Sequence, residues 1–310
     1  MLIIKCILST MYITLKPIIG VSMQESESYI VKASERATEL LVSVDSLKNQ
    51  LDSYRPLKEK EHLWQAIQEK LRSEWTYHSN AIEGSTLTLG ETIFFLQYGL
   101  TVEGKPFKDF LDARNHAEAV ELLYEYVAED RAISEGFIKE MNALLLSGVS
   151  YTKAIDQFGN PTKKPATPGE YKKLPNTVLR PDGTIHEYIY PLQVPAEMEY
   201  LCKWINENIE TQHPIITSAV AHYNMVRIHP FDDGNGRGAR ILMNVILLKR
   251  KYPPAIIKME NRRKYIEAME QGDKGNLNPF IEFVAQSLID TAREMLNVLK
   301  SNGNGVSHQS

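Results

Sequence analysis

A run of residues from His229 to Arg240, His-Pro-Phe-Asp-Asp-Gly-Asn-Gly-Arg-Gly-Ala-Arg, gathers the groups in this chain best suited to handling phosphate. Pro230 disfavours helical geometry at His229, so a preceding helix should end there and present the imidazole at its mouth. Asp233-Gly234-Asn235-Gly236 then leads straight into another helix. Two glycines around an asparagine let successive backbone N–H groups converge, and the helix start adds partial positive charge, which makes an anion cradle suited to phosphate. Within that helix only Arg237, Arg240 and Asn244 interrupt an otherwise apolar surface of Ile241, Leu242, Met243, Val245, Ile246, Leu247 and Leu248. Their spacing of i, i+3, i+7 makes one polar stripe. Buried guanidinium groups need anionic partners, and a polyphosphate lying along the helix start would satisfy both arginines. Asp233 could hold a magnesium ion (Mg2+) that bridges phosphate oxygens. His229 is then the titratable group nearest the phosphate, of a type that works as a base near neutral pH.

Other chemistry fits these residues less well. His222 lies one face up the same helix and could pair with His229 and Asp232 or Asp233 on a metal, but a zinc site wants a third strong ligand and the arginines would repel a cation. The Asp-Asp-Gly-Asn-Gly string lacks the ligand spacing and terminal glutamate of a calcium loop. A second candidate group is Glu83 in Ser79-Asn80-Ala81-Ile82-Glu83-Gly84. It falls at the C-terminal end of a predicted helix, where the macrodipole disfavours a carboxylate, so it is either simply solvated or offset by a cation.

The elements that must position these groups are mostly helical. Apolar positions recur at three and four from Tyr29 to Leu51, and again from about Leu57 into the low 80s through Trp64, Ile67, Leu71 and Trp75. Thr88 with Glu91 reads as a capping box. Helices follow at about 107–128, at 134–146 with Ser134 as N-cap, from Pro195 to about Glu210, from Pro214 to Ile228, and near 237–250, 260–271 and 277–300. Glycines and prolines between 147 and 173 read as loop. Leu174–Leu179 and Thr184–Tyr190 read as strands joined by a turn at Arg180-Pro181-Asp182-Gly183, the one hairpin expected. The class is mainly α with one β-hairpin.

Composition narrows the function. The chain has 310 residues, enough for about two domains or one large one. Apolar content of 43% with 24% charged residues excludes a disordered or collagen-like chain. Lysine and arginine total 35 against 39 acidic residues, net −4, so no excess of positive charge points to nucleic acid. Cys6 and Cys202 are too few for a disulfide framework or a cysteine-based zinc site, which fits a reducing, cytoplasmic setting. The apolar stretch from Met1 to Val21 is broken by Lys5, Lys16 and Pro17 and is too short for a membrane span. As a secretion signal it has a thin basic start and no clear cleavage site, and the ordinary soluble pattern begins at Met23. Residues 1–22 are therefore expected to be a mis-assigned or disordered leader, and 301–310 a disordered tail.

The 229–240 run resembles the signature of the Fic family, His-x-Phe-x-Asp/Glu-Gly-Asn-Gly-Arg-x-x-Arg, at every fixed position. The resemblance extends over roughly residues 105–290 and includes Gly169-Glu170-Tyr171, although Lys172 stands where many members have Arg. It implies a Fic-type helical bundle with a β-hairpin flap and transfer of AMP from ATP to a protein hydroxyl. By motif position, His229 would take the proton from the target Ser, Thr or Tyr, and Asp233 would bind Mg2+. The amides of Gly234, Asn235 and Gly236 would hold the α and β phosphates, Arg237 would meet the β phosphate and Arg240 the γ phosphate, with Phe231 as a buried anchor. Tyr265 resembles a position near the nucleotide base, and a core tyrosine fits it nearly as well.

Ser79, Glu83 and Gly84 match the inhibitory motif Ser/Thr-x-x-x-Glu-Gly/Asn of Fic proteins whose regulatory helix precedes the catalytic core. Glu83 would pair with Arg240 in the place the γ phosphate needs. The implied organisation is a regulatory region at 23–104 and a catalytic core at 105–300. The target protein would dock its main chain along the hairpin at 174–190, auto-modification and an oligomer are compatible with this reading, and neither a membrane nor a nucleic acid is implied as a partner. Two further readings share the sequence: AMP removal or another phosphate-containing donor on the same fold, and a non-catalytic partner-binding module.

Overall fold

Helices α7 (Pro214–Ile228) and α8 (Asn235–Lys249) form the packed pair on which the rest is built. The computed structural model to which they belong describes residues 27–55, 58–155, 160–179 and 185–301. The leader at 1–22, the turn at Arg180–Gly183 and residues 302–310 of the tail lie outside the described residues. The apolar side chains of α8 that the sequence singled out, from Ile241 to Leu247, are fully buried. Burial of that many aliphatic side chains, each worth about 1.5–3 kcal/mol, makes this pair the energetic centre of the molecule.

Around it stand α1 (Glu35–Tyr54), α2 (Glu61–Ile82), α3 (Leu89–Tyr98), α4 (Phe107–Ala128), α5 (Glu135–Leu145), α6 (Val194–Asn208), α9 (Arg262–Asp273) and α10 (Asn278–Ser301). Local chemistry sets their starts. Ser34 and Ser134 accept the amide hydrogens of Ala37 and Phe137 as N-caps, and Thr88 with Glu91 closes the expected capping box. Helix α1 packs along α10 and α2 along α4. The N–H of Ser34 donates to Asn278 Oδ1 at 2.7 Å, tying the starts of α1 and α10 together. No described helix is long and apolar enough to cross a membrane. Cys202 is a buried free thiol.

Four expectations need correction. The helix expected from Tyr29 begins only at Glu35, because Tyr29 instead packs edge-on against Tyr200 at 4.9 Å from a short 3-10 turn, leaving Ile30 exposed. The segment expected to be loop holds an antiparallel ribbon of β1 (Tyr151–Ile155) and β2 (Pro161–Pro165), with Tyr151 opposite Pro165 and Ile155 opposite Pro161. A two-stranded ribbon has an outer edge on each strand, so prolines at the strand ends break no ladder and give no strand signal. The ribbon expected at 174–190 is present but shorter, β3 (Thr177–Leu179) against β4 (Ile185–Glu187). Ser301, placed in the disordered tail, is the last residue of α10.

The polar stripe of α8 ends in a structural contact. Asn244 is fully buried and its amide receives the Ala255 N–H at 2.7 Å and donates to the Ala255 carbonyl at 3.2 Å. Asn244→Ala would strand both backbone groups without water, and equilibrium urea unfolding should report a loss of about 2–4 kcal/mol.

Candidate active site

The last turn of α7 delivers His229. Its N–H still donates to the Met225 carbonyl at 3.1 Å, but φ 50° and ψ 59° put the residue in the left-handed region, and Pro230 prevents the helix from continuing. That strained cap turns the imidazole out of the helix and against Tyr188, whose ring stacks on it at 3.8 Å and 18°. Beneath lies Lys172, buried, with its N–H donating to the Pro230 carbonyl at 2.8 Å and its Nζ to the Ile228 carbonyl at 3.3 Å. Burial pushes the His229 imidazole down to about 3, Lys172 and His186 push the same way, and the Val226 carbonyl and Glu83 oppose them. Burial, with Lys164 nearby, lowers the Lys172 amine to about 8 against the pull of Asp232. The imidazole is thus neutral at physiological pH and able to accept a proton.

The loop between the helices is held by side chains. Asn235 Oδ1 receives the Phe231 N–H at 2.9 Å while its Nδ2 donates to the Phe231 carbonyl at 2.8 Å, and the Phe231 ring is buried. Asn142 on α5 donates to the Asp233 carbonyl at 2.9 Å and accepts the Gly169 N–H at 3.0 Å. Gly234 caps α8 with φ 80°, a conformation that costs a side-chain-bearing residue energy. Asp232 is committed to Lys164 at 2.5 Å and Thr167 at 3.2 Å. Asp233 has 40% of its side chain exposed, and among the described residues its Oδ1 meets the Gly234 amide at 2.6 Å and, at 3.8 Å, Arg237. An accessible hard carboxylate beside an anion cradle suits a divalent cation shared with phosphate oxygens.

Both arginines of α8 are buried, and both meet carboxylates of the protein itself. Arg240 donates from Nε to Ser79 Oγ at 3.0 Å and from Nη2 to the Ser79 carbonyl at 2.9 Å and Glu83 Oε1 at 2.7 Å. Arg237 Nη1 donates to Asp112 Oδ1 at 3.0 Å. Glu83 is the C-cap of α2, with Gly84 at φ 97° turning the chain away. Its carboxylate reaches the first turn of α8, so closely that a Cβ on Gly236 would stand 2.5 Å from Oε1. The unfavourable C-terminal end of α2 is therefore offset by the positive start of α8 and by Arg240. Burial alone would raise the Glu83 carboxyl, but Arg240, helped by Arg237 and Arg262, holds it below the usual carboxylate range. Outside this pair opens a cleft of about 750 Å³ lined by Asn80, Glu83, Lys108, Asp112, Asp233 and Arg237.

The structure gathers His229, Asp233, Gly234, Asn235, Gly236, Arg237, Arg240, Ser79 and Glu83 around that loop and cleft. Tyr265 it buries in the core, where the hydroxyl meets His222 Nε2 at 3.1 Å and interacts with Arg240, and the ring packs near Phe280 and Phe283. No group of three or more metal-binding side chains forms among the described residues, His222 included. Sequence reasoning missed Asp112, Asn142 and Lys164. The only signal for them was the need of Arg237, the loop and Asp232 for partners.

Two measurements check this geometry. Gly236→Ala should cost about 1 kcal/mol or more in the unsubstituted chain but less in Glu83→Ala, because the added methyl meets the carboxylate; equal costs in urea unfolding would contradict the contact. A histidine lowered from 6.5 to about 3 takes up a proton on unfolding, so stability present at neutral pH is lost as pH falls through that window. His229→Gln should therefore reduce proton uptake on unfolding at about pH 5 by nearly one.

Residues 132–247 match the Fic/DOC family model. A protein adenylyltransferase Fic of Drosophila erecta is 28% identical over 273 residues, covering 86% of this chain and 51% of that one. The protein adenylyltransferase fic-1 of Caenorhabditis elegans is 28% identical over 294 residues, covering 91% and 53%. The chain thus spans about half the length of the curated relatives it matches. Among solved structures, a Fic domain containing signaling protein from Bacteroides thetaiotaomicron superposes with TM-score 0.71 at 28% identity, over 89% of this chain and 100% of that one. A fragment of Fic-1 from Caenorhabditis elegans superposes with TM-score 0.68 at 28% identity, over 84% and 72%.

Proposed function

Since residues 132–247 of this chain belong to the Fic/DOC family, we propose that the protein is an adenylyltransferase, moving AMP from ATP to a Ser, Thr or Tyr hydroxyl of a target protein and held in check by Glu83. The observation that carries this reading is the Glu83–Arg240 pair, 2.7 Å long, lodged against the first turn of α8 where a polyphosphate would lie. An anion is already bound at the anion cradle, and it belongs to the protein.

In the productive state the amides at the start of α8 and the two guanidinium groups hold the triphosphate, Arg237 at the β and Arg240 at the γ phosphate. Neutral His229 accepts the proton of the target hydroxyl as its oxygen bonds to the α phosphorus. The bond from that phosphorus to the bridging oxygen breaks in line, and pyrophosphate leaves with its charge on Arg237, Arg240 and the amides. Asp233 would hold Mg2+, which when bound neutralises phosphate charge. The target's extended segment would add main-chain hydrogen bonds at the β3–β4 ribbon, whose following residue Tyr188 touches His229. With Glu83 in place Arg240 is occupied, so the γ phosphate has no seat and ATP is held out of line. The reading assigns the enzyme a cytoplasmic setting, in keeping with its scarcity of cysteine.

Glu83→Gly should raise auto-labelling from ATP labelled at the α phosphorus by about tenfold or more, the removal of an obstacle of about 1.4 kcal/mol or more. Adding His229→Ala should return the signal to background. Unchanged labelling in the first variant would remove the inhibitory role, and persistent labelling in the second would remove the base.

A further inference from the structure

The two arginines of α8 stand one turn apart, and each meets one carboxylate from the N-terminal half of the chain, but those carboxylates are held very differently. The Glu83 side chain is 45% exposed and sits at a helix end, with Arg240 as its bonded cation among the described residues. It can swing into the cleft at the cost of that contact. The Asp112 side chain is 9% exposed and lies inside α4. Its Oδ1 takes Arg237 at 3.0 Å while its Oδ2 takes the ammonium of Lys108 one turn earlier. Its backbone carbonyl accepts Asn80 Nδ2 at 3.3 Å, and the same amide donates to the Thr76 carbonyl at 3.0 Å, locking α4 to α2 three residues before Glu83.

Asp112 cannot leave without giving up Arg237 and Lys108 together, one of them a buried guanidinium. It also does not use up the group it holds. Arg237 binds Asp112 through Nη1 alone, while its Nε is buried without a partner and its Nη2 is 3.8 Å from the Asp233 carboxylate. A guanidinium fork held at one nitrogen keeps its orientation and has donors left for an anion, whereas an unheld one loses several rotatable torsions' worth of order.

On the adenylyltransferase reading above, the geometry points to Asp112 as a positioning residue: a fixed clamp, anchored by Lys108, that presents Arg237 to the phosphates beyond the α phosphate, where Glu83 is a removable plug. Two acid–arginine pairs of similar appearance then have opposite effects, since deleting one frees the site and deleting the other disorders it.

The experiment uses the full chain in the Glu83→Gly background and compares Asp112→Asn with Asp112 intact, reading auto-labelling together with calorimetric affinities for ATP and AMP. The expected result is a KM and Kd for ATP raised about tenfold or more, with AMP affinity unchanged because AMP lacks the phosphates that Arg237 would meet. Equal weakening of ATP and AMP would mean a merely structural role and overturn the inference, as would unchanged ATP affinity. Labelling by Asp112→Asn with Glu83 intact that exceeds the unsubstituted chain would make Asp112 a second plug and overturn it too. If Asp112→Asn does not fold, Asp112→Glu keeps the charge and shifts its position; ATP weakened several-fold with AMP unchanged is expected there, and unchanged ATP affinity overturns the clamp. Should Glu83→Gly itself neither label nor bind ATP, the adenylyltransferase reading fails instead, which keeps the two failures apart.

Discussion

Two guanidinium groups on a helix that is otherwise apolar set the terms for the rest of this protein. Removing a charge from water costs several kcal/mol unless a counter-charge and hydrogen bonds replace the lost solvent. Helix α8 buries Arg237 and Arg240 side by side, and the replacement comes from α4 through Asp112 and from α2 through Ser79 and Glu83. The helices ahead of the signature therefore complete its electrostatics as well as cover its apolar surface.

The same constraint explains why the loop before α8 is so heavily braced. With the arginines fixed from one side, the amides at the helix start can face an anion only if the loop neither collapses onto them nor frays. Asn235 stitches Phe231 to the helix, Asn142 holds the Asp233 and Gly169 backbones, and Gly236 leaves room for a carboxylate at the first turn. His229 is set by a different device, a left-handed cap enforced by Pro230, which stacks the imidazole on Tyr188 where burial and nearby Lys172 keep it neutral against the opposing pull of Glu83. Base and cradle thus have braces of their own, Pro230 for the one and Asn235 and Asn142 for the other, and none of these braces runs through Glu83.

Much of the helical frame was legible from local chemistry. Ser134 and the Thr88–Glu91 box are start signals that act within one turn, and they work in the structure as their sequence implies. The β1–β2 ribbon was not legible, because its prolines and lysines show neither alternation nor β-branched enrichment, and pairing between strand edges stabilises it instead. The start of α1 was misplaced for a related reason: apolar spacing continues back to Tyr29, yet Tyr29 is spent on Tyr200 and Trp204.

The 229–240 run by itself determined which groups could bind phosphate and accept a proton, since its spacing, its glycines and Pro230 act over one or two turns. It also required that buried arginines find anions. Which anions these are only the tertiary structure decided, because Asp112 and Glu83 lie 125 and 157 residues away from the arginines they hold, and nothing local marks them as partners. Charge neutralisation is a demand that any carboxylate can meet. Packing chooses the carboxylate, and its burial decides whether it stays.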